Sequence, residues 1–567
     1  MSVSQADLIL CNAKVMTLDA QSTVHQAIAV TAGRITAVGS DASVKALGGP
    51  RTEVIDLLGR TVLPGINDSH MHAAFFGGTR PPLAVGLYYP GVGCIADMVE
   101  ALRKQVDVTP SGAWIRGFGW DAANLKECSE DRARLPRRWD IDSVSPDNPV
   151  VLNDFSGHTM LANTRALELA GITRDTPDPA SGEIERDEHG APTGIFKELE
   201  AMGLVFRVVP LLTREEKREA VVSTLRQLAA NGITSFTDAA LGPGGDTYSG
   251  GLMAADILDI YRELADEGRL TARVTALLLF GEYGGLSVED LKRGMAEFQA
   301  PAGMDGSWFQ IPGIKLFADG IPLTKTSYMH DDYLGGGHGA LTVPGASEEE
   351  QAAHLVELIG LAHGAGYQVA VHATGDRATD IVVEGFAKAM ADDPRPDPRH
   401  YVVHGEFLSP KTARRLAELK LGVAMQPAIQ PLIADIEPMI VGPERAAYEW
   451  PLRTALDSGL NLTASSDMPV TGPNWRAGVQ AAVLRGGLSG KVSGPAERIG
   501  LVEALRLYTV NGAWQDRMED VKGTLEAGKF ADLCVLDGDI LALDPHEIGQ
   551  LPVLMTIVGG ITVYDAR

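Results

Sequence analysis

Two histidines separated by a single residue, His70 and His72, are side chains whose spacing suggests chemistry. They follow the apolar run VLPGIND, and the two-residue period of a β-strand would point both imidazoles to the same side. Two imidazoles on one side suit two ligands of one metal ion. Taken alone, the pair is a weak indication, since such pairs are more often structural or lie at the surface.

Three more ionisable side chains stand where later apolar runs end. His372 lies in VAVHATGD, His404 in YVVHGE and Asp467 in TASSDMP. The 32 residues from His372 to His404 match one strand-and-helix unit, and the 63 residues from His404 to Asp467 match two. Ionisable groups at the ends of buried strands are costly to desolvate, so convergence on a cation is the economical interpretation. Imidazole with carboxylate favours zinc, with manganese, iron or cobalt as alternatives.

Lys315 lies between apolar residues in IPGIKLFADG. The ordinary interpretation is a lysine whose amine extends to the rim of the fold. The alternative follows from its place on a strand that faces the histidines. An ammonium beside a dication is repelled, whereas a desolvated neutral amine can react with carbon dioxide to form a carbamate. A carbamate offers two oxygens and one negative charge with which to bridge two metal ions.

The elements that position these residues are apolar, β-branched runs that alternate with helical patterns, as is typical of parallel βα units. Capping signals support the helices, for example Ser347 before EEEQAAHL. Eight such units predict an α/β fold with a closed (β/α)₈ barrel of the TIM type, whose active site lies at the carboxyl ends of the strands. The predicted strands are VLPGIND, GITSFTD, ARVTALLLF, GIKLFAD, YQVAVHA, HYVVHGE, GVAMQPA and LNLTASSD.

The chain is predicted to divide into three regions, a sandwich, the barrel and an insertion. Short strands and turns at both chain ends are expected to pair as a composite β-sandwich of residues 1–61 and 520–567. The barrel then comprises residues 62–73 and 211–519. About 150 residues separate its first two strands, far more than a usual crossover. This predicts an inserted α+β subdomain at residues 74–210, which would cover the active face as a lid.

The composition excludes several classes of function. With 74 acidic and 49 basic residues, the formal charge of -25 would repel a polyanion, which argues against nucleic acid as a partner. The four cysteines form no CxxC pair, so neither a disulfide scaffold nor a zinc finger fits. The sequence shows no signal-peptide pattern and no apolar run long enough to cross a membrane, so we expect a soluble cytoplasmic protein.

Four further side chains are weaker candidates for contact with a substrate. His158 in FSGHTMLANTRAL could reach the pocket or only cap a helix. Phe155 and Trp120 could form an apolar pocket wall or only pack inside the subdomain. Gln426 could bind substrate or only end the seventh strand. Glu198 in GIFKELE is interpreted as an ordinary carboxylate on a helix face.

The chain resembles the amidohydrolase superfamily in VLPGINDSHMH, GIKLF, SSDMPV, GTLEAGKFADLCVLD and TIVGGITVYD. More narrowly, GFGWD, FSGHTMLANTRAL, GIKLFADG and SSDMPV resemble amidohydrolase family 3, which includes YtcJ-like proteins and N-substituted formamide deformylases. The likeness runs almost from end to end. It implies a metal-bearing (β/α)₈ barrel beside a composite β-sandwich, and hydrolysis of a carbon–nitrogen bond other than a peptide bond.

The resemblance also implies a role for each candidate ligand. The first two histidines would hold a buried metal ion, and His372 and His404 would hold a second. Lys315, as a carbamate, would bridge the ions, so two zinc ions are the expected cofactor, although some superfamily members use one metal. Asp467 would bind the first ion and act as general base and acid, while water activated to hydroxide attacks the carbonyl.

The expected substrate is a small molecule, with N-substituted formamides or other N-acyl amines as first candidates. An ester, lactone or carbamate hydrolase with the same metal site is the alternative. A non-catalytic protein that keeps the barrel is a third hypothesis, which the complete set of ligands disfavours. A homodimer is compatible with a barrel of this size.

Overall fold

The computed structural model describes most of the chain, and it confirms the predicted α/β barrel through a central sheet of eight parallel strands. Within the described ranges, none of the helices has the length and apolar character needed to span a bilayer. Residues 1–4 of the predicted sandwich and four residues of the predicted insertion lie outside the description. The described ranges are 5–131, 134–179, 182–243, 250–281 and 286–567.

The strands are numbered in chain order. They are β1 (Leu8–Cys11), β2 (Lys14–Met16), β3 (Val24–His25), β4 (Ala27–Thr31), β5 (Arg34–Gly39), β6 (Glu53–Asp56), β7 (Thr61–Pro64), β8 (Ile66–Met71), β9 (Val85–Gly86), β10 (Ile115–Trp120), β11 (Val150–Asp154), β12 (Thr159–Ala162), β13 (Glu183–Arg186), β14 (Pro192–Lys197), β15 (Ile233–Leu241), β16 (Arg273–Leu278), β17 (Phe309–Phe317), β18 (Gln368–Ala373), β19 (Tyr401–His404), β20 (Gly422–Met425), β21 (Asn461–Ala464), β22 (Leu533–Leu536), β23 (Val553–Val558) and β24 (Ile561–Asp565).

The α-helices are numbered in the same way. They are α1 (Asp41–Lys45), α2 (Ala73–Gly78), α3 (Ile95–Val106), α4 (Lys126–Glu130), α5 (Arg138–Asp142), α6 (Thr164–Ala170), α7 (Leu199–Phe206), α8 (Arg214–Ala230), α9 (Asp256–Asp266), α10 (Val288–Glu297), α11 (Glu348–Gly364), α12 (Asp376–Asp392), α13 (Pro410–Glu418), α14 (Gln430–Ile433), α15 (Pro443–Ala446), α16 (Leu452–Asp457), α17 (Trp475–Leu484), α18 (Leu501–Leu507) and α19 (Val510–Gln515).

The barrel consists of β8 and β15–β21, which lie side by side in chain order. Each of these strands overlaps one of the eight apolar runs found in the sequence, because strands covered on both faces are apolar throughout. The first and last strands meet at a seam, where the Ser69 hydroxyl donates to the Ala464 carbonyl at 2.8 Å. The seam brings the carboxyl ends of β8 and β21 together.

The helices between the barrel strands begin at the polar caps that the sequence contains. The Ser347 hydroxyl accepts a hydrogen bond from the Glu350 amide at the start of α11, as predicted. At α8, the Thr213 hydroxyl accepts from the Glu216 amide while the Glu216 carboxylate accepts from the Thr213 amide at 2.7 Å. These reciprocal bonds satisfy backbone donors that a helix start leaves free.

Strands from both chain ends share one six-stranded sheet of order β24-β23-β22-β7-β2-β3, beside a four-stranded sheet of order β5-β4-β1-β6. The predicted first barrel strand VLPGIND is therefore divided. Its first half, β7, pairs with β2 and β22, and the barrel begins at Ile66. The division falls at Gly65, where a Cβ atom would lie 2.0 Å from the Thr234 hydroxyl, so only glycine allows this close passage.

The residues between β8 and α8 contain a six-stranded sheet of order β13-β14-β12-β11-β10-β9. This segment leaves the barrel directly after His72, where α2 begins. It has its own apolar core, which includes Leu152 and Ile195. Its Phe155 and His158 reach the cavity at the carboxyl ends of the barrel strands.

A buried ion pair joins the barrel to the sandwich. Arg273, the first residue of β16, donates from Nε and Nη2 to the two carboxylate oxygens of Asp532 at 2.8 and 3.0 Å. Both side chains are almost fully buried. The Arg273 guanidinium also lies 3.8 Å from the ring centroid of Phe530, and the Gly559 amide donates to Asp532. The pair therefore ties together segments that are distant in sequence.

Asp532→Ala is expected to lower the free energy of unfolding by about 3–5 kcal/mol, because it leaves the Arg273 guanidinium buried without its counter-ion. Urea-induced unfolding followed by circular dichroism measures this loss. The control is Glu219→Ala, which removes an exposed ion pair with Arg226 and should cost less than about 1 kcal/mol. Similar losses in the two variants would contradict the role of the buried pair.

Candidate metal centre

The end of β8 and the loop after β21 bring three donor atoms together. Nε2 of His70 and Nε2 of His72 lie 3.4 and 3.5 Å from Oδ1 of Asp467. The seam of the barrel fixes this arrangement, because the Asp467 amide donates to the His70 carbonyl at 3.0 Å and the His72 amide donates to the Met468 carbonyl at 2.8 Å. Two imidazoles and one carboxylate thus face one point.

The imidazole rings of His72 and His372 are oriented by backbone carbonyls. Nδ1 of His72 donates to the Ala239 carbonyl at 3.1 Å, and Nε2 of His372 donates to the Gly320 carbonyl at 3.0 Å. A neutral imidazole that donates through one nitrogen presents a lone pair on the other. This is the usual arrangement of a histidine that binds a metal.

Gln426 orients the ring of His404. Its Oε1 accepts a hydrogen bond from Nδ1 of His404 at 2.7 Å, and its Nε2 donates to the Ala424 carbonyl and the Ser465 hydroxyl. Gln426 is fully buried and does not line the cavity. The sequence suggested a contact with substrate, but the structure places Gln426 behind the histidine.

Lys315 lies in β17 with its amine directed toward the histidines. Its Nζ is 3.4 Å from Nε2 of His70, and the side chain is buried. Burial lowers the pKa of Lys315 to about 7, even though the nearby Asp467 carboxylate favours the charged form. A large fraction of this amine is therefore neutral at neutral pH, as formation of a carbamate requires.

Burial also favours the neutral form of three of the imidazoles, those of His70, His372 and His404. It holds the pKa of His70 and that of His372 well below the usual range, and it lowers the pKa of His404 to about 4. Burial opposes ionisation of Asp467, but its contacts with the first two histidines outweigh burial and hold its pKa well below the usual range. Neutral imidazoles around a charged carboxylate are the donor set that a divalent cation binds.

All six candidate ligands line one cavity, together with Phe155 and His158 from the inserted segment. Trp120 does not line it. This residue is buried in the separate core of the insertion, where its indole nitrogen donates to the Leu152 carbonyl at 2.9 Å. The tryptophan therefore serves packing, which was the alternative interpretation. The six ligands at the cavity are His70, His72, Lys315, His372, His404 and Asp467.

His158 is paired with Glu198, and the prediction of an ordinary helix-face carboxylate at this position was wrong. Its Nδ1 lies 2.8 Å from Oε2 of Glu198, whose Oε1 accepts hydrogen bonds from Thr324 and Thr326 at 2.8 Å each. Glu198 precedes α7 with a φ of 65° and is not on a helix face. The signal in the sequence was a carboxylate at the junction between the buried strand β14 and the largely apolar helix LEAMGLVF.

The pair is held charged by its own electrostatics. Burial opposes the charged form of His158, but the Glu198 carboxylate outweighs burial and raises the pKa of the imidazole. The reverse holds for Glu198, where His158 outweighs burial and lowers the pKa of the carboxyl. An imidazole whose pKa is raised therefore lines the cavity together with the candidate metal ligands.

Asp319 fixes the loop that follows β17. Its carboxylate accepts hydrogen bonds from the backbone amides of Tyr328, Thr374 and Gly375 at 2.9–3.0 Å. These bonds connect the loop to the end of β18, next to His372. No spacing in the sequence marks Asp319, because its partners lie on two separate loops.

Known proteins resemble this chain over nearly its full length. A family model described as "Amidohydrolase family" matches residues 53–564. N-substituted formamide deformylase from Arthrobacter pascens is 30% identical over 571 residues, which covers 99% of this chain and 98% of that protein. A protein named YtcJ from Bacillus subtilis (strain 168) is 27% identical over 551 residues, covering 95% and 96% of the two chains.

Among solved structures, an uncharacterized metal-dependent hydrolase from Pyrococcus furiosus superposes with a TM-score of 0.68. Its sequence is 27% identical, and the superposition covers 95% of this chain and 99% of that one. The superposition thus extends over most of the barrel, the sandwich and the insertion.

Glu198→Gln should destabilise the protein most between about pH 5 and 6.5. The ordinary pKa values of the two groups are 4.5 and 6.5. The pKa of Glu198 is lowered in the folded protein, so its stabilising contribution is fully present above the ordinary pKa of 4.5 and is lost as pH falls through the lowered pKa. The pKa of His158 is raised in the folded protein, so its stabilising contribution is fully present below the ordinary pKa of 6.5 and is lost as pH rises through the raised pKa.

The thermal unfolding midpoints of wild type and Glu198→Gln, measured from pH 5 to 9, test this. The difference should shrink at high pH. Glu188→Gln, which removes an exposed contact with His189, should show no such trend. A difference for Glu198→Gln that stays constant across the range would mean that the pair is not ionic.

Proposed function

The chain belongs to the amidohydrolase family, and from this premise we propose that it is a metal-dependent hydrolase that cleaves the carbon–nitrogen bond of an amide. Membership confirms the resemblance seen in the sequence motifs. The observation that carries the proposal is the gathering of all six candidate ligands around one cavity at the carboxyl ends of the barrel strands. The 30% identity with a formamide deformylase supports the same type of reaction.

The residues present fit a metal centre. Four imidazoles, one carboxylate and one lysine with a lowered pKa suit zinc, with manganese, iron or cobalt as alternatives. His70, His72 and Asp467 would hold one ion, and His372 and His404 a second. When bound, a divalent cation supplies Lewis acidity that polarises a carbonyl and lowers the pKa of water.

Lys315 connects the two groups of ligands. Its neutral amine can combine with carbon dioxide, and the resulting carbamate would offer one oxygen to each side. The pKa of about 7 supports this reaction, since an amine with its ordinary pKa would remain protonated. We therefore assign two zinc ions and a carbamate on Lys315 to the working enzyme.

Asp467 is the residue that we assign to proton transfer. Its Oδ1 faces His70 and His72, which leaves Oδ2 to accept a proton from the attacking water and to pass it to the departing nitrogen. The strongly lowered pKa of Asp467 ensures that it starts as a carboxylate. The amine then leaves in its neutral form.

His158 is placed to stabilise negative charge on the substrate oxygen. Its Nδ1 is engaged with Glu198, so Nε2 is the atom that can donate to a substrate. Its raised pKa keeps the ring cationic over a wider pH range. Phe155 and Leu199 line the cavity beside it and limit the access of water. N-substituted formamides and other N-acyl amines are the first substrates to test.

Asp467→Asn should reduce kcat by about 10²- to 10⁴-fold, the usual contribution of general acid–base catalysis. The amide retains the shape of the side chain but cannot carry the proton. Steady-state hydrolysis of a formamide and a matched ester, with metal content measured in parallel, checks this result. Asp392→Asn, on the exposed face of α12, is the control. A rate close to wild type in Asp467→Asn would refute the proton-transfer role.

Lys315→Ala should lower activity by about 100-fold, as expected when the support of a metal site is removed. Short carboxylic acids should restore part of the activity, since a carboxylate can occupy the place of the carbamate. Rates measured with and without added acetate or propionate test this. Lys388→Ala, at an exposed site, should be active and insensitive to the acids. Unchanged activity in Lys315→Ala would remove the bridge from the proposal.

A further inference from the structure

A second group of carboxylates lies beside the cavity. Glu406, Glu437 and Glu449 each place one carboxylate oxygen within 4.8 Å of the other two. All three side chains are buried, with exposed fractions of 3%, 0% and 0%. None of the six candidate metal ligands belongs to this acid cluster.

The acid cluster lacks partners among the described residues. Both carboxylate oxygens of Glu437 and of Glu449, and Oε1 of Glu406, have no hydrogen-bond partner there. Gln430, which is 1% exposed, has no partner at hydrogen-bond distance for either polar atom of its amide in the described structure, although the amide is close enough to Glu449 to favour the charged carboxylate. Buried polar groups are seldom left in this state, so the cluster indicates a missing ligand.

The buried cation beside the acid cluster, Arg485, does not form a salt bridge with any of the three carboxylates. Arg485 is buried next to Glu449, but its guanidinium donates to the backbone carbonyls of Glu449 and Trp450 at 2.8 and 2.9 Å. Its positive charge acts on Glu449 alone among the three carboxyl groups. Burial without a bonded cation raises the pKa of Glu449 to about 8. A further cation would therefore stabilise the cluster.

The acid cluster opens onto the cavity of the metal centre. Glu406 follows the ligand His404 by two residues and lines the same cavity, as does Trp450. The two are adjacent, because the Trp450 amide donates to the Glu406 carbonyl at 2.8 Å. The indole nitrogen of Trp450 is buried and has no partner in the described part of the chain. Ile429 and Ile433 add apolar surface to this wall.

We propose that the acid cluster recognises a positively charged group of the substrate, an ammonium or guanidinium carried on an apolar chain, while the amide of the same molecule lies at the metal centre. The inference rests on the proposed function and narrows its substrate class. Glu406 would contact the cation, and Glu437 and Glu449 lie behind it as carboxyl groups whose ionisation a bound cation would favour.

The surroundings favour an organic cation over a metal ion. An aromatic ring such as that of Trp450 attracts ammonium and guanidinium groups but is not a ligand for a hard metal. The isoleucines suit a methylene chain, which would lose contact with water along this wall. Only Glu406 of the three carboxylates reaches the cavity, so one end of a long molecule can meet it.

Binding measured without turnover tests the inference separately from the function. Isothermal titration of the metal-loaded protein with hexylammonium and with hexanol compares ligands that differ in charge. The ammonium should bind at least about 10-fold tighter, and Glu449→Gln or Glu437→Gln should remove most of that ratio. Glu444→Gln, an exposed glutamate in α15, removes the same charge and should keep the ratio.

Each outcome decides between the alternatives. Equal binding of the two ligands by wild type overturns the inference, whether or not the variants fold. An additional equivalent of metal in wild type that is lost in Glu437→Gln also overturns it, since the cluster would then be a metal site. An ammonium preference without hydrolysis of any amide, charged or neutral, would leave the recognition site standing and refute the proposed function.

Discussion

The seam between the first and last barrel strands is the contact on which the site depends. Backbone bonds from Asp467 to His70 and from His72 to Met468 set the two imidazoles against the carboxylate. In the described part of the chain, the six candidate ligands lie on or directly after five separate strands, so the candidate metal centre depends on how these strands are assembled. The arrangement of the ligands forms only when the barrel closes, so a change that opens the seam should also disrupt the site.

Desolvation then gives each side chain its chemical state. Burial lowers the pKa of Lys315 and those of the strand-end histidines, and their lone pairs become available. Where a carboxylate is paired with an imidazole, as at Glu198 and His158, the charged forms persist. Burial thus favours neutral donors among the candidate ligands, whereas at His158 and Glu198 the attraction between opposite charges outweighs burial.

The fold and the candidate ligands could be predicted because both depend on local periodicity. An apolar run that ends in histidine or aspartate marks a strand and the face where it ends. Gln426 and Trp120 could not be assigned in this way, since each makes its decisive hydrogen bond to a residue that lies distant in the sequence. The same is true of Glu198, whose side-chain partners come from two distant segments, and of the acid cluster, whose three members have no regular spacing in the sequence.

The sheet that joins both chain ends cannot be completed until almost the whole chain has been synthesised. β7 must pair with β22, yet roughly 470 residues lie between them, which a ribosome adds in about half a minute to a minute and a half. During that interval the nascent chain carries β7 with an open edge and an uncovered apolar face. An unpaired strand edge of this kind is prone to aggregation and is a typical binding surface for chaperones. The sheet can therefore be completed only after the last strands have been synthesised.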